Sequence, residues 1–253
     1  MGAEHIMFAF LGFFIAFAIG LTGVGAGTLT APTLILLGLD PAKAVGSALT
    51  FSAIVKLPAG FLHALHKNVD YRVLRTMLSG GLPGVFIGSY FLSKLSLVQS
   101  LKGLIFLTIG LTILLSILLN LFLLFKNMRI DMTEHSYVLP FACFFIGIEV
   151  GFTSTGAGAL GMVLLIYFTR LDTPKCVGTD IAFGLACSLI GGFSHMFLGH
   201  AEASFFLPMS IGGLLGVWLG TKLTRKIDPR PLRFIISALL FIVALNLIHR
   251  GLN

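Results

Sequence analysis

Charge is scarce in this chain. Only 11% of its 253 residues are Asp, Glu, Lys or Arg, while 57% are hydrophobic and the mean hydropathy is +1.01. A water-soluble domain of this size cannot cover its surface with so few polar groups. Tryptophan occurs once and cysteine three times. Cys143, Cys176 and Cys187 have no CxxC spacing and lie in or beside apolar segments, so small buried residues are expected rather than a zinc site or a disulfide framework. No metal site and no cofactor is expected. The opening Met-Gly-Ala-Glu-His lacks the basic stretch of a cleaved signal peptide, so the first apolar run is expected to stay in the mature chain.

In place of charge there are apolar runs of about 15 to 30 residues, joined by short linkers, which makes the solvent for most of the surface lipid. The chain reads as an all-α polytopic membrane protein of the cell (inner or plasma) membrane. Its net charge of +7 comes from basic residues placed singly or in small groups between apolar runs. That is the pattern of membrane loops, and it argues against nucleic acid as a partner.

The sequence is duplicated. Gly20-Leu-Thr-Gly-Val-Gly-Ala-Gly-Thr-Leu29 matches Gly151-Phe-Thr-Ser-Thr-Gly-Ala-Gly-Ala-Leu160 at an offset of 131. After one inserted residue the offset is 132, through Asp40/Asp172, Lys43/Lys175, Val45-Gly46/Val177-Gly178, Gly60/Gly192, His63/His195, Gly84/Gly216 and Lys94/Lys226. Two repeats follow, 1–125 and 126–253, each of about five helical segments: 6–20, 28–39, 44–66, 73–92 and 97–125, then 136–152, 158–169, 175–199, 203–223 and 231–249. The first two of each repeat are short; 15 and 12 residues give roughly 22 and 18 Å of helix, against a hydrocarbon core of about 30 Å.

Each short pair is either one broken helix or a hairpin. The broken-helix count gives parallel repeats and loop Lys/Arg totals of about ten against six. The hairpin count inverts the repeats. It puts Lys67, Arg72, Arg75, Lys126, Arg129, Arg170, Lys175, Lys222, Arg225, Lys226, Arg230 and Arg233 on one side and only Lys43, Lys94, Lys102 and Arg250 on the other. The positive-inside rule favours this sharper asymmetry, hence two inverted repeats with both termini extracytoplasmic.

Paired, glycine-interrupted short segments point to a transporter site. A helix starts at each tip, so unpaired N–H groups and a positive dipole end face an anion there. The candidate substrate residues are Thr22, Gly23, Gly25, Gly27, Thr28, Thr153, Ser154, Thr155, Gly156 and Gly158; the alternative use of the glycines is close helix packing. Three ionisable residues lie inside apolar runs, where charge is costly: Lys56, Glu149 and Asp180. Lys56 is a candidate to neutralise the anion, and Glu149 and Asp180 to carry a coupling proton; the alternative is an ion pair of Lys56 with one of them. The equivalent His63 and His195 are candidates for gating or proton relay, against a plain helix-to-helix hydrogen bond. His66, Asn68 and Asp70 read as a solvated cap or turn. Gly80, Gly84 and Gly88, and Gly212, Gly216 and Gly220, give each fourth segment a close-packing face, for joining the repeats or for a homodimer. Trp218 and the 24 phenylalanines read as ordinary lipid-facing or core-filling residues.

Assembled, these residues resemble the TauE/SafE family of sulfite-exporter-like membrane permeases. The resemblance rests on Gly23-Val-Gly-Ala-Gly27 with Pro32, Ala44-Val-Gly-Ser-Ala-Leu49, His63 with Asn68-Val-Asp-Tyr71, and Leu82-Pro-Gly84. The second half repeats them as Thr155-Gly-Ala-Gly158, Cys176-Val-Gly-Thr-Asp180, and His195 with Gly199-His200. It spans roughly residues 8 to 248. It implies a secondary transporter, not an enzyme, that exports sulfite or a small organosulfonate such as sulfoacetate, coupled to an ion gradient. Gly199-His-Ala-Glu202 stands where the pattern implies Gly-x-Val-Asp. A passive anion channel would use the same tips, and a hydrolase would need Ser154 and His195 as nucleophile and base.

Overall fold

The structure, a computed structural model, describes residues 2–22, 26–125, 138–155, 158–223 and 230–252. These form α1 (Gly2–Thr22), α2 (Ala26–Leu36), α3 (Pro41–Leu65), α4 (Tyr71–Ser96), a 3-10 turn (Gln99–Leu101), α5 (Lys102–Phe125), α6 (Val138–Thr153), α7 (Ala159–Phe168), α8 (Thr173–Phe197), α9 (Ala203–Leu223) and α10 (Arg230–Leu252). Helix is the form that satisfies every backbone group within its own segment, as lipid demands. Six of these helices are long and apolar enough to cross a membrane, with windows at Glu4–Leu21, Pro41–Leu65, Gln99–Leu118, Thr173–Phe197, Ala203–Leu223 and Phe234–Leu252.

One expectation changes. The first segment is not short: α1 has 21 residues, about 31 Å of helix. It begins at Gly2 because the polar Glu4 and His5 continue the helix beyond the apolar run, where a hydropathy pattern stops. The other three short segments stay short, at 11 residues in α2, 16 in α6 and 10 in α7.

Helix starts follow local chemistry. Asp40 accepts from Ala42 N at 3.1 Å, with Pro41 at the first helical position of α3. Asp70 caps α4 by accepting from Arg72 N and Val73 N, at 3.1 and 3.0 Å, so the polar stretch 66–70 is the cap and turn read from sequence. After α8, Gly199 takes the left-handed conformation at φ 74°; its equivalent, Lys67, takes it at φ 57°.

The glycine faces join the two halves. In α4, Gly80, Gly84 and Gly88 lie against the backbone of Pro140, Phe144 and Ile148 in α6; in α9, Gly212, Gly216 and Gly220 lie against Ala9, Phe13 and Phe17 in α1. The fourth helix of each repeat thus packs on the first helix of the other, running parallel to it. In contrast, α3 and α8 cross antiparallel, with Gly46 near His195 and Gly60 near Leu185, and α5 and α10 do the same, with Gly103 near Gly251 and Gly110 near Ala244. The large apolar side chains that remain exposed, among them Phe14, Phe86, Ile211 and Trp218, cover the outside. The three cysteines are buried thiols, none of them in a disulfide with another described cysteine.

The repeated Val-Gly-Ser/Thr motif has a physical task. Gly178 of α8 receives the backbone carbonyl of Asn68, and Thr179 Oγ1 accepts from Asp70 N at 3.0 Å. In the other half Gly46 receives the carbonyl of His200, and Ser47 Oγ accepts from Glu202 N at 3.2 Å. The loop with the divergent Gly199-His-Ala-Glu202 sequence keeps its shared role through backbone atoms, which side-chain replacement leaves intact. Ser47→Ala and Thr179→Ala should each cost about 1 kcal/mol, the worth of one ordinary buried hydrogen bond. Thermal unfolding of the purified single variants should show similar losses for the two.

Candidate functional site

The two tips meet. Gly27, in the first turn of α2, lies against the backbone carbonyl and hydroxyl of Ser154, just past the end of α6, with no room for a Cβ between them. Ser154 is held in the left-handed region at φ 65°, uncommon for a residue with a side chain. Its hydroxyl is enclosed and, among the described residues, has no hydrogen-bond partner. Around it run the other hydroxyls. Thr153 Oγ1 donates to Glu149 O at 2.9 Å and lies 2.6 Å from Thr155 Oγ1, which in turn donates to Glu149 Oε1 at 3.1 Å. Thr28 is buried in the first turn of α2. Gly158 precedes α7, whose first helical residue is Ala159. Gly23, Gly25 and Gly156 lie outside the described residues, as does the side chain of Thr22.

Lys56 does not pair with Asp180 or Glu149: among the described residues no ion pair within 4.0 Å involves it. Its ammonium donates to Ser188 Oγ at 3.4 Å, and Ser188 Oγ lies 3.2 Å from Ser52 Oγ. Residues 56 and 188 are 132 apart, so Lys56 touches its own equivalent in the other repeat. Asp180 Oδ1 is enclosed, without a hydrogen-bond partner among the described residues, and lies against Gly161 of α7.

The paired histidines differ. His195 is fully buried and its Nε2 lies 2.9 Å from Gly151 O; a carbonyl only accepts, so Nε2 carries the proton and Nδ1 is left unpartnered. His63 is half-buried, and its Nδ1 is also unpartnered. Ser154 and His195 form no nucleophile–base pair, since His195 Nε2 is committed to Gly151 and Ser154 Oγ has no partner.

Sequence reading missed His200. It sits between α8 and α9, its ring 6.0 Å from that of His195 and its Nε2 2.9 Å from Ser93 Oγ. The signal was present as an asymmetry: the equivalent first-repeat residue is Asn68. Nearby, Lys43 pairs with Glu202 and Lys102 lies 3.8 Å from Asp40. Burial holds the His200 pKa below the usual histidine value, with Lys43 adding to the shift and Asp40 opposing it. The unfolded chain therefore takes up this proton before the folded one, so the contribution of His200 is complete above the ordinary histidine pKa and is lost as pH falls through it. Between about pH 8 and about pH 5.5 the melting temperature of the wild type should fall more than that of His200→Asn.

Comparison with known proteins matches residues 8–247 to the family model described as sulfite exporter TauE/SafE. The chain belongs to the TauE/SafE family. Among similar proteins, the Bacillus subtilis "probable membrane transporter protein YjnA" is 26% identical over 247 residues, covering 94% of this chain and 97% of the relative. The B. subtilis "probable membrane transporter protein YunE" is 26% identical, covering 92% and 93%. YtnM of the same organism is 25% identical, covering 94% and 80%. No solved structure matches. Transport is thus the coarse function of this TauE/SafE chain, a multi-pass membrane protein.

Proposed function

We propose that this protein is a proton-coupled secondary transporter of a small sulfur-containing anion, sulfite or a small organosulfonate such as sulfoacetate, which it exports from the cell. The observation that carries the reading is the contact of the two tips, Gly27 against Ser154. It brings the start of α2 to the end of α6, so that glycine backbone, a free hydroxyl and the Thr153–Thr155–Glu149 chain share one place. Hydroxyls, unpaired amides and a helix start recognise an oxyanion; the sulfur comes from the family description.

The repeats are inverted in the bilayer in this reading. Support comes from equivalent helices crossing antiparallel, α3 with α8 and α5 with α10. The ends then sort as the hairpin count does: Asp40, Lys43, Lys102 and Glu202 group at one end. Residues 66–70 and the start of α8 group at the other, with the larger share of Lys and Arg. The first end, with both termini, faces out.

Purified protein in liposomes should carry radiolabelled sulfite or sulfoacetate, saturably and with counterflow, and a pH gradient should change the final level. Absence of flux for both anions sinks the reading, and unsaturable flux without counterflow replaces it with a passive channel.

A further inference from the structure

Asp180 is placed where a bound anion belongs. Among the described residues the first bond of the α7 ladder is Met162 N to Gly158 O, at 3.4 Å, and the amides of residues 159 to 161 precede any carbonyl of α7 that could receive them. The side-chain oxygen of Asp180 lies against Gly161, within that first turn, where the helix dipole is positive. A Cβ on Gly161 would take the place of this oxygen, and the oxygen accepts no hydrogen bond. A side-chain carboxylate thus lies at one of the two helix starts proposed to hold the substrate. The charged group that acts on it is Lys56 of α3, and Asp180 in turn acts on the thiols of Cys143 of α6 and Cys187 of α8. Among the described residues that lysine has one long hydrogen bond, to Ser188 of the other repeat. The first repeat has nothing comparable: Ala48 stands at the position of Asp180, and Ala18 at that of Glu149. Acidic chemistry is confined to the second half of an otherwise duplicated site.

We propose that Asp180 is a tethered competitor of the transported anion, resting on the transport reading above. Ionised, its carboxylate occupies the start of α7 and balances Lys56. Protonated, it gives up both, and the incoming anion takes them. The balance is one for one at the lysine: the carboxylate gains one proton, the start of α7 gains one singly charged sulfonate or bisulfite head group, and the charge facing Lys56 is unchanged. Each anion therefore travels with one proton in the same direction, so export runs down the anion's own outward gradient and carries protons out with it. A monoanion moves without net charge, and a lysine that is never left without a counter-charge avoids the cost of a lone cation in a dry interior.

The test uses the full-length protein in detergent with sulfoacetate, a dianion whose sulfonate takes the place of the Asp180 carboxylate and whose own carboxylate stays ionised near neutrality, so that neither of its groups accounts for a proton taken up. At a pH where the carboxyl of the empty protein is ionised, one proton should be taken up from weakly buffered solution per anion bound. Above the pH at which the carboxyl ionises, affinity should fall about tenfold per pH unit, as linkage to one proton requires. Asp180→Asn, a fixed mimic of the neutral acid, should bind sulfoacetate without proton uptake or pH slope, and should retain counterflow while losing gradient-driven accumulation. In the wild type, infrared difference spectra on adding sulfoacetate should show a protonated carboxyl that shifts with carbon-13 aspartate and not with carbon-13 glutamate, a readout that needs no variant. A wild type that binds neither sulfite nor sulfoacetate overturns the transport reading. A wild type that binds without proton uptake, an Asp180→Asn protein that keeps the slope, or a carboxyl signal that follows labelled glutamate overturns the Asp180 assignment and leaves the transport reading standing.

Discussion

Gly27→Val is expected to stop transport, with counterflow in proteoliposomes at least about 100-fold below wild type, the order of loss that follows when a site is displaced by about 1 Å. A Cβ at this position meets the carbonyl and hydroxyl of Ser154, and the isopropyl group adds two carbons beyond it. The carbonyl is backbone and cannot rotate away. Ser154 is already in the left-handed region, where movement is tightly restricted for a residue with a side chain. The second tip must therefore shift, and Thr153 and Thr155 shift with it, breaking the 3.1 Å bond from Thr155 to Glu149. The helix packing around α1 and α9 lies elsewhere, so the variant should still purify as a single species. Flux above half of wild type would show that contact between the tips is not needed for transport.

What could be read in advance depended on whether a feature repeats along the chain or arises only across it. The 132-residue register was visible because it recurs over most of the length, and it carried the pairing of Val45-Gly46-Ser47 with Val177-Gly178-Thr179. Its purpose was hidden, because each motif serves a loop of the opposite half: Ser47 receives Glu202, and Thr179 receives Asp70. The same holds for Lys56. Its burial in an apolar run marked it as unusual, but its partner proved to be Ser188, its own counterpart, rather than a carboxylate. The Thr153, Thr155 and Glu149 spacing lies within about two turns and could be seen locally, whereas the meeting of Gly27 with Ser154 depends on the packing of all the helices between them. His200 was passed over as part of a divergent loop; its difference from Asn68 has meaning only once the two loops are seen to dock alike.

Gly84→Leu and Gly216→Leu test the assembly itself. These residues are equivalent, and each lies at the centre of a glycine face: Gly84 against Phe144 of α6, Gly216 against Phe13 of α1. In lipid there is no hydrophobic gain from bringing helices together, so association rests on close backbone approach and the dispersion contacts it allows. A leucine on either face holds two helices apart along their length, because the atoms it meets are main-chain carbonyls with no rotamer to change. Overpacking usually costs 1–3 kcal/mol, and with backbone on the far side the loss here should be about 3 kcal/mol or more. That is a large share of the stability of a typical folded domain. Both variants should therefore be recovered poorly or as aggregates in size-exclusion chromatography, to a similar degree. Leu215→Ala, one residue away on the exposed side of α9, should elute as the wild type does. If Gly84→Leu fails and Gly216→Leu folds normally, the two faces are not doing the same work, and the two halves are joined mainly through α4 and α6.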